Sequence, residues 1–385
     1  MLINYGKQRI DKDDIDSVVK ILKSKIITQG NQATKFEHAL KLKLGSKFCC
    51  ALSSGTSGLH LAAMALGWKK EDIVISTPIT FLATINCINF VGAKPDFVDI
   101  NPNYYTIDPD RLEKRIKEYR KIRKKVKAVI AVDYAGHPAD WKELNFLAKK
   151  YNFQLVNDNC HALGASYLGS KKYASKYANL VIQSFHPVKH ITTGEGGAVL
   201  TNSRLLDQKI RQLKSHGIEK NLKTMKIGSW YYEMHKPGFN CRITDFQCAL
   251  GISQLKKLDR FIVMRRKIAQ LYNDGFQFRQ NCIIPKVDKN SEHAYHLYPV
   301  LSDFNKLKTN KRLFFEKMKK KGVNLQVHYI PVHLQPYYMK KFKFKKGDFP
   351  ISENFYEKEF SLPIYPDLKE KQIEFIIKEV YKNLN

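Results

Sequence analysis

Short apolar runs alternate with helical patterns from residue 47 onward, and this alternation limits the chain to few folds. The helical segments, such as 56–66 and 139–151, carry their apolar residues on one stripe. Strand–helix–strand order predicts an α/β fold with a mostly parallel sheet and helices on both of its faces. Sheets of this kind bind ligands beyond the carboxyl ends of their strands. We predict strands at residues 47–52, 73–76, 94–99, 128–133, 154–157, 180–184 and 198–201.

The pattern changes near residue 245. A long helix is predicted from Thr244 to about Tyr272, because leucine and isoleucine recur there at helical spacing. Mixed strand and helix patterns follow Pro285. We therefore predict a large domain over residues 1–250 and a smaller α+β domain over residues 251–385, which the long helix joins.

The formal net charge of +30 raises the question of nucleic-acid binding. Residues 114–127 hold nine Lys or Arg against one Glu, and residues 305–346 hold thirteen against one. The first cluster follows a helical pattern with Leu112 and Ile116 on its apolar face, so its charges are typical of a solvated surface. A general abundance of Lys, Ile and Asn, as an AT-rich genome encodes, favours this interpretation. A positive field would still steer an anionic substrate, such as a sugar nucleotide, to its site.

The sequence predicts neither a membrane span nor a metal site. No run of 18 apolar residues occurs, and the N-terminal segment is polar almost at once. The seven cysteines show no CxxC or metal-ligand spacing. We expect a cytoplasmic protein with reduced cysteines.

The first chemical motif is the turn of small residues SSGTSG at 53–58, between a predicted strand and a predicted helix. Glycine lets the backbone approach an anion, and the free N–H groups of the helix start point toward it. Thr56 and Ser57 add hydroxyl donors. The alternative is an ordinary turn with a Ser/Thr cap, and the turn alone does not decide between them. The P-loop is excluded, because no Gly-Lys-Ser/Thr follows.

Two further candidates follow predicted strands. Asp158 stands at the end of the strand 154–157, where a carboxylate could hold a protonated ring nitrogen, and His161 lies three residues on. Lys189 stands in the loop after the strand 180–184. Asp158 could equally cap a turn, and one lysine in so basic a chain proves nothing by itself. In this order, however, the turn, the aspartate and the lysine are the three anchors of pyridoxal phosphate: a phosphate cradle, a partner for the ring nitrogen and a Schiff-base amine.

With these motifs the chain resembles the DegT/DnrJ/EryC1/StrS sugar aminotransferases, which are fold-type I enzymes dependent on pyridoxal 5'-phosphate. The resemblance covers nearly the whole chain. It implies a mostly parallel sheet in a large domain and a smaller α+β C-terminal domain. The matching motifs are IDKDDI (10–15), TQG (28–30), PITFLAT (78–84), DYAG (133–136), SFHPVKHITTGEGG (184–197), GFNCR (238–242), QVHY (326–329) and SLPIYP (361–366).

The resemblance implies a role for each cofactor-binding candidate. Lys189 would form the Schiff base and then act as acid and base. Asp158 would pair with the ring nitrogen, and His161 would lie near the ring hydroxyl. Phe81 would stack on the cofactor, although an aromatic residue there could also belong to the core. The implied phosphate ligands are Thr56, Ser57 and Ser184.

Asn240 is expected to reach the phosphate of the neighbouring subunit's cofactor, so the resemblance implies a homodimer with shared active sites. The alternative is that Asn240 is a turn residue. Members of the family that dehydrate their substrate carry histidine in place of Lys189, so that branch is disfavoured. The residues expected to line the substrate site are Tyr5, Lys25, Ile26, Ile27, Thr28, Gln326, Val327, His328 and Tyr329.

Within the family, the segments 184–197 and 327–338 are most similar to those of the transaminases of pseudaminic acid biosynthesis. This implies amino transfer from L-glutamate, which leaves 2-oxoglutarate, to C4 of a UDP-linked 4-keto-6-deoxy-N-acetylhexosamine. The alternative is the same chemistry on another nucleotide-linked 3- or 4-keto sugar. A remote alternative is a basic nucleic-acid-binding regulator on a vestigial fold, which need not keep Lys189, Asp158 and the phosphate hydroxyls together. No nucleic acid or membrane is expected as a partner.

Overall fold

A seven-stranded sheet forms the centre of the computed structural model, which describes residues 2–220 and 226–384. The strand Gly197–Thr201 is antiparallel to both of its neighbours, and the other strands are parallel to one another. This confirms the mostly parallel sheet that the sequence predicts. From edge to edge the strands are Phe48–Leu52, Gly197–Thr201, Leu180–Ser184, Gln154–Asp158, Val126–Val132, Ile73–Ser76 and Lys94–Phe97.

Five strands differ at their ends from the prediction, three of them by a single residue. The strand predicted over 94–99 ends at Phe97, because Asp99 turns its carboxylate to another element. Its two oxygens accept the backbone N–H groups of Ile351 and Ser352, each at 2.8 Å. The strand predicted from residue 128 begins at Val126.

Helices cover both faces of the sheet. The helix Gly55–Ala65 packs against the strands Leu180–Ser184 and Gly197–Thr201, and Trp141–Tyr151 packs against Gln154–Asp158. Successive strand residues enter two different apolar clusters, as expected for a sheet that is buried on both faces. The helices before residue 220 are Lys12–Leu22, Gln32–Leu44, Gly55–Ala65, Leu82–Phe90, Pro109–Lys121, Trp141–Tyr151, Tyr173–Tyr177 and Arg204–Leu213.

A long helix, Asp245–Phe276, leads into the C-terminal part of the chain. It begins where predicted, at a capping box in which the Thr244 side chain accepts the Gln247 N–H. The strands Tyr298–Leu301 and Glu359–Leu362 then pair antiparallel over a third apolar cluster. The long helix runs through residues 250 and 251 without a break. The predicted domain boundary between these two residues therefore stays a prediction. The remaining helices are Lys311–Lys320, Pro336–Phe342, Pro350–Lys358 and Glu370–Leu384.

Short elements complete the described chain. Ser166–Tyr167 pairs with Ser291–Glu292, and Ile218–Glu219 pairs with Glu233–Met234. In the described residues no helix is both long and apolar enough to cross a membrane. Nor does any group of three or more His, Cys, Asp or Glu side chains there form a metal site.

A buried carboxylate ties together the ends of two central strands. Asp133, fully buried, directly follows the strand Val126–Val132, and it accepts hydrogen bonds from the neighbouring strand and from the segments that surround it. This network fixes the strand ends next to which the functional candidates stand. Its five donors are Ala139 N–H, Trp141 Nε1, Asn157 Nδ2, Asn159 Nδ2 and Tyr173 Oη.

Candidate active site

A cavity of about 570 Å³ opens at the carboxyl ends of the central strands. Val132, Asp158 and Ser184, the last residues of three strands, line it. This is where a sheet of this type presents its ligands. The first turns of two helices and the segment 326–329 supply the other walls.

The small-residue turn directs the start of the helix Gly55–Ala65 toward the cavity. Ser54 caps this helix, because its Oγ accepts the Ser57 N–H at 3.0 Å. Gly55 stands in a close approach, since a Cβ there would lie 3.0 Å from Cβ of Ser184. Thr56 lines the cavity, whereas the Ser57 hydroxyl is bonded to Ser54 Oγ at 2.9 Å and is not part of the lining. The cavity therefore meets a helix start beside the Thr56 and Ser184 hydroxyls, an arrangement suited to an anion.

Asp158 lies in the cavity wall with 5% of its surface exposed. Its Oδ2 accepts a hydrogen bond from Thr84 Oγ1 at 2.7 Å, and its Oδ1 accepts the Cys160 N–H at 3.3 Å. Among the described residues, no Lys, Arg or His nitrogen lies within 4 Å of this carboxylate. A buried carboxylate with only neutral donors is suited to a cationic group of a ligand.

Lys189 projects into the same cavity from the loop after Leu180–Ser184. Its Nζ lies 3.4 Å from Nε2 of His296. Burial lowers the pKa of Lys189 below its ordinary value, and the nearby Cys160 and Asp158 oppose this change only in part. A lowered pKa leaves more of the amine unprotonated, which is the form that attacks a carbonyl.

His161 also lines the cavity, and its hydrogen bonds select one tautomer. Nδ1 accepts the Ala135 N–H at 3.3 Å, so Nε2 carries the hydrogen and donates to Tyr329 Oη at 3.2 Å. Burial, together with the charge of Lys189, lowers the pKa of His161 well below its usual range. Phe81 is 55% exposed at the cavity, with its ring centroid 6.0 Å from that of Tyr329.

The segment 326–329 forms the wall that the C-terminal part contributes. A buried carboxylate holds it, because Glu359 Oε2 accepts the His328 N–H at 3.0 Å. His328 Nδ1 lies 2.8 Å from Ser361 Oγ, and the Tyr134 hydroxyl donates to the His328 carbonyl. The ring of Tyr5 lies 5.5 Å from the His328 ring, so Tyr5 reaches the same wall from the N-terminus.

Some of the predicted site residues lie outside this cavity. Lys25, Ile26, Ile27 and Thr28 are not part of its lining, because the Ile27 carbonyl and Thr28 are bound to the start of the long helix. Asn240 is exposed and is bridged to Ser215 instead. The roles of these residues and of Ser57 stay predictions. The predicted residues that the cavity brings together are Tyr5, Thr56, Phe81, Asp158, His161, Ser184, Lys189, Gln326, Val327, His328 and Tyr329.

Sequence patterns did not single out three other cavity residues: Thr84, Cys160 and His296. Thr84 stands three residues after Phe81 on a helix start, and this spacing could have indicated it. His296 stands 107 residues from Lys189 in the chain, in a run whose pattern predicts a strand. Only the tertiary fold brings it to the lysine, so no local pattern could have indicated it.

The model of the DegT/DnrJ/EryC1/StrS aminotransferase family matches residues 8–381. The chain belongs to this family. An uncharacterized protein of Methanocaldococcus jannaschii, MJ1066, is 41% identical, over 97% of this chain and 95% of its own length. A UDP-4-amino-4,6-dideoxy-N-acetyl-beta-L-altrosamine transaminase of Campylobacter jejuni is 40% identical, over 97% of this chain and 96% of its own length.

Solved structures share the whole architecture. Helicobacter pylori PseC, an aminotransferase involved in the biosynthesis of pseudoaminic acid, superposes with a TM-score of 0.90 at 32% identity, over 100% of this chain and 99% of that one. The PMP form of Spr1654, a putative sugar aminotransferase from Streptococcus pneumoniae, gives a TM-score of 0.90 at 28% identity, over 99% and 98%. Spr1654 has also been solved in a PLP form. The chain is therefore a fold-type I aminotransferase that depends on pyridoxal phosphate.

The cavity residues of this chain fit that cofactor. The helix start with the Thr56 and Ser184 hydroxyls suits a phosphate, and Asp158 offers a buried carboxylate to a protonated ring nitrogen. Lys189 is an amine with a lowered pKa and with no carboxylate of the described residues within 4 Å. The cofactor would offer a phosphate to the first of these groups, a protonated nitrogen to the second and an aldehyde carbon to the third.

Proposed function

We propose that this aminotransferase moves an amino group from L-glutamate to C4 of a UDP-linked 4-keto-6-deoxy-N-acetylhexosamine, a step of pseudaminic acid biosynthesis. The observation that carries the proposal is the match over 97% of the chain, at 40% identity, to a transaminase named for a UDP-linked amino sugar. The superposition on PseC over the whole chain supports the same substrate class. A sugar aminotransferase is the coarser assignment that all of these relatives support.

In this proposal Lys189 is the general acid and base. Bound in the cavity, pyridoxal phosphate supplies an electron-withdrawing ring that stabilises negative charge on the carbon bearing the amine. Lys189 Nζ would remove the proton from that carbon and would return one to the carbon on the other side of the amine nitrogen. Because burial lowers the pKa of Lys189, a larger share of the amine is unprotonated and able to accept a proton.

Asp158 and the hydroxyls of Thr56 and Ser184 would hold the cofactor while Lys189 transfers the proton. Asp158 would accept a hydrogen bond from the ring nitrogen and keep it protonated. Thr84 Oγ1 and the Cys160 N–H fix the direction of the carboxylate. Thr56 and Ser184, which line the cavity at the helix start, would donate to the phosphate. His161 Nε2 donates to Tyr329 Oη inside the cavity. A hydrogen-bond donor at this place would suit the hydroxyl of the cofactor ring.

The proposed binding site of the sugar is the cavity wall that Tyr5 and residues 326–329 form. It lies in the same cavity as Lys189 and is polar through the His328 and Tyr329 side chains. The Glu359 carboxylate and the Tyr134 hydroxyl hold its backbone from behind, so the wall keeps its shape when a ligand is absent.

We also propose a homodimer in which Asn240 contributes to the partner's site. Support comes from an exposed aromatic patch next to Asn240. The ring of Phe239 lies 4.9 Å from that of His60, which lies 5.1 Å from Phe90. Phe239 and Phe90 are 40% and 54% exposed, and contiguous exposed rings of this kind are typical of protein interfaces.

The runner-up function is the same transfer to another nucleotide-linked 3- or 4-keto sugar. Its support is the structure of Spr1654, which superposes as well as PseC does and is named only as a putative sugar aminotransferase. The two functions differ in the substrate alone.

The test is an amino-transfer assay with ¹⁵N-labelled glutamate and a panel of UDP- and dTDP-linked 3- and 4-keto sugars. The proposal predicts that ¹⁵N appears at C4 of the UDP-linked N-acetylhexosamine, with 2-oxoglutarate formed in equal amount. A kcat/KM higher for another sugar of the panel would support the runner-up function. Transfer to no sugar of the panel, by a protein that holds its cofactor, would contradict both.

A further inference from the structure

Two polar side chains behind the cavity wall hold the ring of His328. His328 Nδ1 lies 2.8 Å from Ser361 Oγ, and Ser361 Oγ lies 2.5 Å from Glu359 Oε1. The other carboxylate oxygen, Oε2, accepts the backbone N–H of His328 at 3.0 Å. Glu359 therefore binds the backbone of His328 directly and its ring through Ser361. These three residues are called the hydrogen-bond relay below.

The chemistry of its members fixes the hydrogen positions in the relay. A carboxylate can only accept, so Ser361 donates its single hydroxyl hydrogen to Glu359. The oxygen of Ser361 can then only accept from the ring, which places the ring hydrogen of His328 on Nδ1. Nε2 keeps its lone pair, so it is a hydrogen-bond acceptor.

Both ends of the relay have the charge that this order requires. Burial, together with the charge of Lys189, lowers the pKa of His328 to about 3, so the ring is neutral. Burial raises the pKa of Glu359 to about 7, although Ser361, the charge of Lys311 and the His328 N–H oppose this change. At pH 8 the ring is therefore a neutral imidazole and most of Glu359 is a carboxylate.

Nε2 is the nitrogen of the His328 ring that faces the cavity. His328 lines the cavity with 6% of its surface exposed. Nε2 has no hydrogen-bond partner among the described residues, and unlike Nδ1 of His296 it is not enclosed. The rings of Tyr5, at 5.5 Å, and of Tyr329, at 5.0 Å, pack against the imidazole and restrict its rotation. The cavity therefore contains an acceptor of fixed direction that a ligand can reach.

This acceptor lies in the cavity in which Lys189 acts. The charge of Lys189 lowers the pKa of His328, so the amine and the ring are near each other. The sugar of the proposed substrate has two hydrogen-bond donors, the C3 hydroxyl and the N–H of its acetamido group. The C3 hydroxyl is next to C4, the carbon that receives the amine. It is therefore the donor that lies nearest to the reacting carbon.

We propose that His328 is a specificity-determining residue, whose Nε2 accepts a hydrogen bond from the C3 hydroxyl of the sugar. Ser361 and Glu359 are positioning residues, because they fix the tautomer of His328 from behind the wall. The identity of the hydroxyl rests on the proposed function, whereas the relay does not. A sugar without a C3 hydroxyl would leave Nε2 unpaired, and a site built to bind a hydroxyl discriminates against such a sugar.

Nitrogen NMR of the holoenzyme at pH 8, labelled with ¹⁵N-histidine, tests the tautomer. His328→Phe assigns the two ring signals by their loss. We expect hydrogen on Nδ1 of His328 and none on Nε2. Hydrogen on Nε2 in the wild-type protein, or a charged ring, would overturn the proposal.

Glu359→Gln should reverse the relay without changing the shape of the side chain. The His328 N–H needs an oxygen acceptor, so the amide oxygen replaces Oε2 and the NH₂ group faces Ser361. The Ser361 hydroxyl then accepts from this group and donates to Nδ1, which places the ring hydrogen of His328 on Nε2. An unchanged tautomer in Glu359→Gln would contradict the role of Glu359.

Tyr134→Phe is the matched control for disturbance of the wall. It removes the hydrogen bond from the Tyr134 hydroxyl to the His328 carbonyl and leaves the relay intact. We expect this variant to keep the wild-type tautomer of His328. A switch of tautomer in Tyr134→Phe would show that any loosening of the wall is sufficient, and it would overturn the role of the relay.

Kinetics test the contact with the sugar. Amino transfer is measured with the UDP-linked keto sugar and with its 3-deoxy analogue. The wild-type enzyme should prefer the 3-hydroxy sugar about 10- to 100-fold in kcat/KM, as expected for a hydrogen bond to a buried partner. His328→Phe should reduce this preference to about threefold or less, whereas Tyr134→Phe should keep it even if its activity falls. No preference in the wild-type enzyme, or a preference that persists in His328→Phe, would overturn the proposal.

Failure of the proposed function gives a different result. An enzyme that aminates only sugars of another class would refute the proposed substrate together with the C3 contact. The expected tautomers in the wild-type protein and in Glu359→Gln would in that case still support the roles of Ser361 and Glu359.

Discussion

Replacing Asp158 by asparagine removes the charge that is expected to hold the cofactor ring and changes little else. The side chains have the same shape, and Thr84 Oγ1 can still donate to the amide oxygen as it does to the carboxylate at 2.7 Å. The weaker bond from the Cys160 N–H, at 3.3 Å, is the one internal contact that the amide nitrogen would lose. The unfolding midpoint of the cofactor-free protein should therefore change little.

The magnitude follows from the burial of the pair. Asp158 is 5% exposed, so solvent screens its interaction with a protonated ring nitrogen only weakly. A hydrogen bond to a charged group contributes about 1.5–3 kcal/mol, which corresponds to a cofactor Kd raised about 10- to 150-fold in Asp158→Asn.

The assay is an equilibrium titration of the cofactor-free protein with pyridoxal phosphate, followed by absorbance. Thr84→Val is the matched control, because it removes the hydrogen bond to Asp158 and keeps the charge. We expect it to weaken binding less than Asp158→Asn does. A Kd of Asp158→Asn within about threefold of wild type would refute the reasoning, since the charge would then contribute less than about 1 kcal/mol.

Three further predictions concern the amine, the strand ends and the dimer. Lys189→Ala should lower turnover about 1,000-fold or more and leave the unfolding midpoint nearly unchanged, because a solvent amine cannot replace a positioned one; near-normal kcat would contradict the site. Asp133→Asn should reduce the free energy of unfolding by about 3 kcal/mol or more, because an amide oxygen cannot accept all five hydrogen bonds and buried donors lose their acceptor. Denaturant titration measures this, and the exposed Asp16→Asn, expected within about 0.5 kcal/mol of wild type, is its control. Mixing Lys189→Ala with Asn240→Ala chains at limiting cofactor should restore activity, because one site of each heterodimer carries neither change. Heterodimers verified by mass that gain nothing over the Asn240→Ala homodimer would rule out a shared site.

The sheet could be predicted from sequence because its strands are buried on both faces and read as apolar runs. The ends of strands were less predictable. Asp96 and Asp99 look alike in the sequence, but Asp99 leaves the strand to bind the N–H groups of Ile351 and Ser352, more than 250 residues away in the chain. Such a partner is visible only in the fold.

The candidate site likewise contains residues that the sequence could predict and residues that only the fold reveals. The turn at 53–58 and Lys189 follow strands and Asp158 ends one, so sheet topology brings them together once the strand order is known. His296 had no such signal, because it lies in a run that reads as a strand, although the strand begins only at Tyr298 and Tyr295 has a left-handed backbone with φ 47°. Lys25–Thr28 lie outside the cavity of this chain for a comparable reason, since the start of the long helix binds that segment.

The most direct test of the account is to find the atom to which the cofactor is bonded. Borohydride reduction of the enzyme as purified, followed by proteolysis and mass spectrometry, fixes the cofactor to the amine that carries it. We expect the label on Lys189 alone, and we expect no label in the sample first treated with glutamate, because glutamate frees the lysine. A label on another lysine of the chain, or a label on Lys189 that glutamate does not remove, would contradict the central claim that this cavity performs amino transfer.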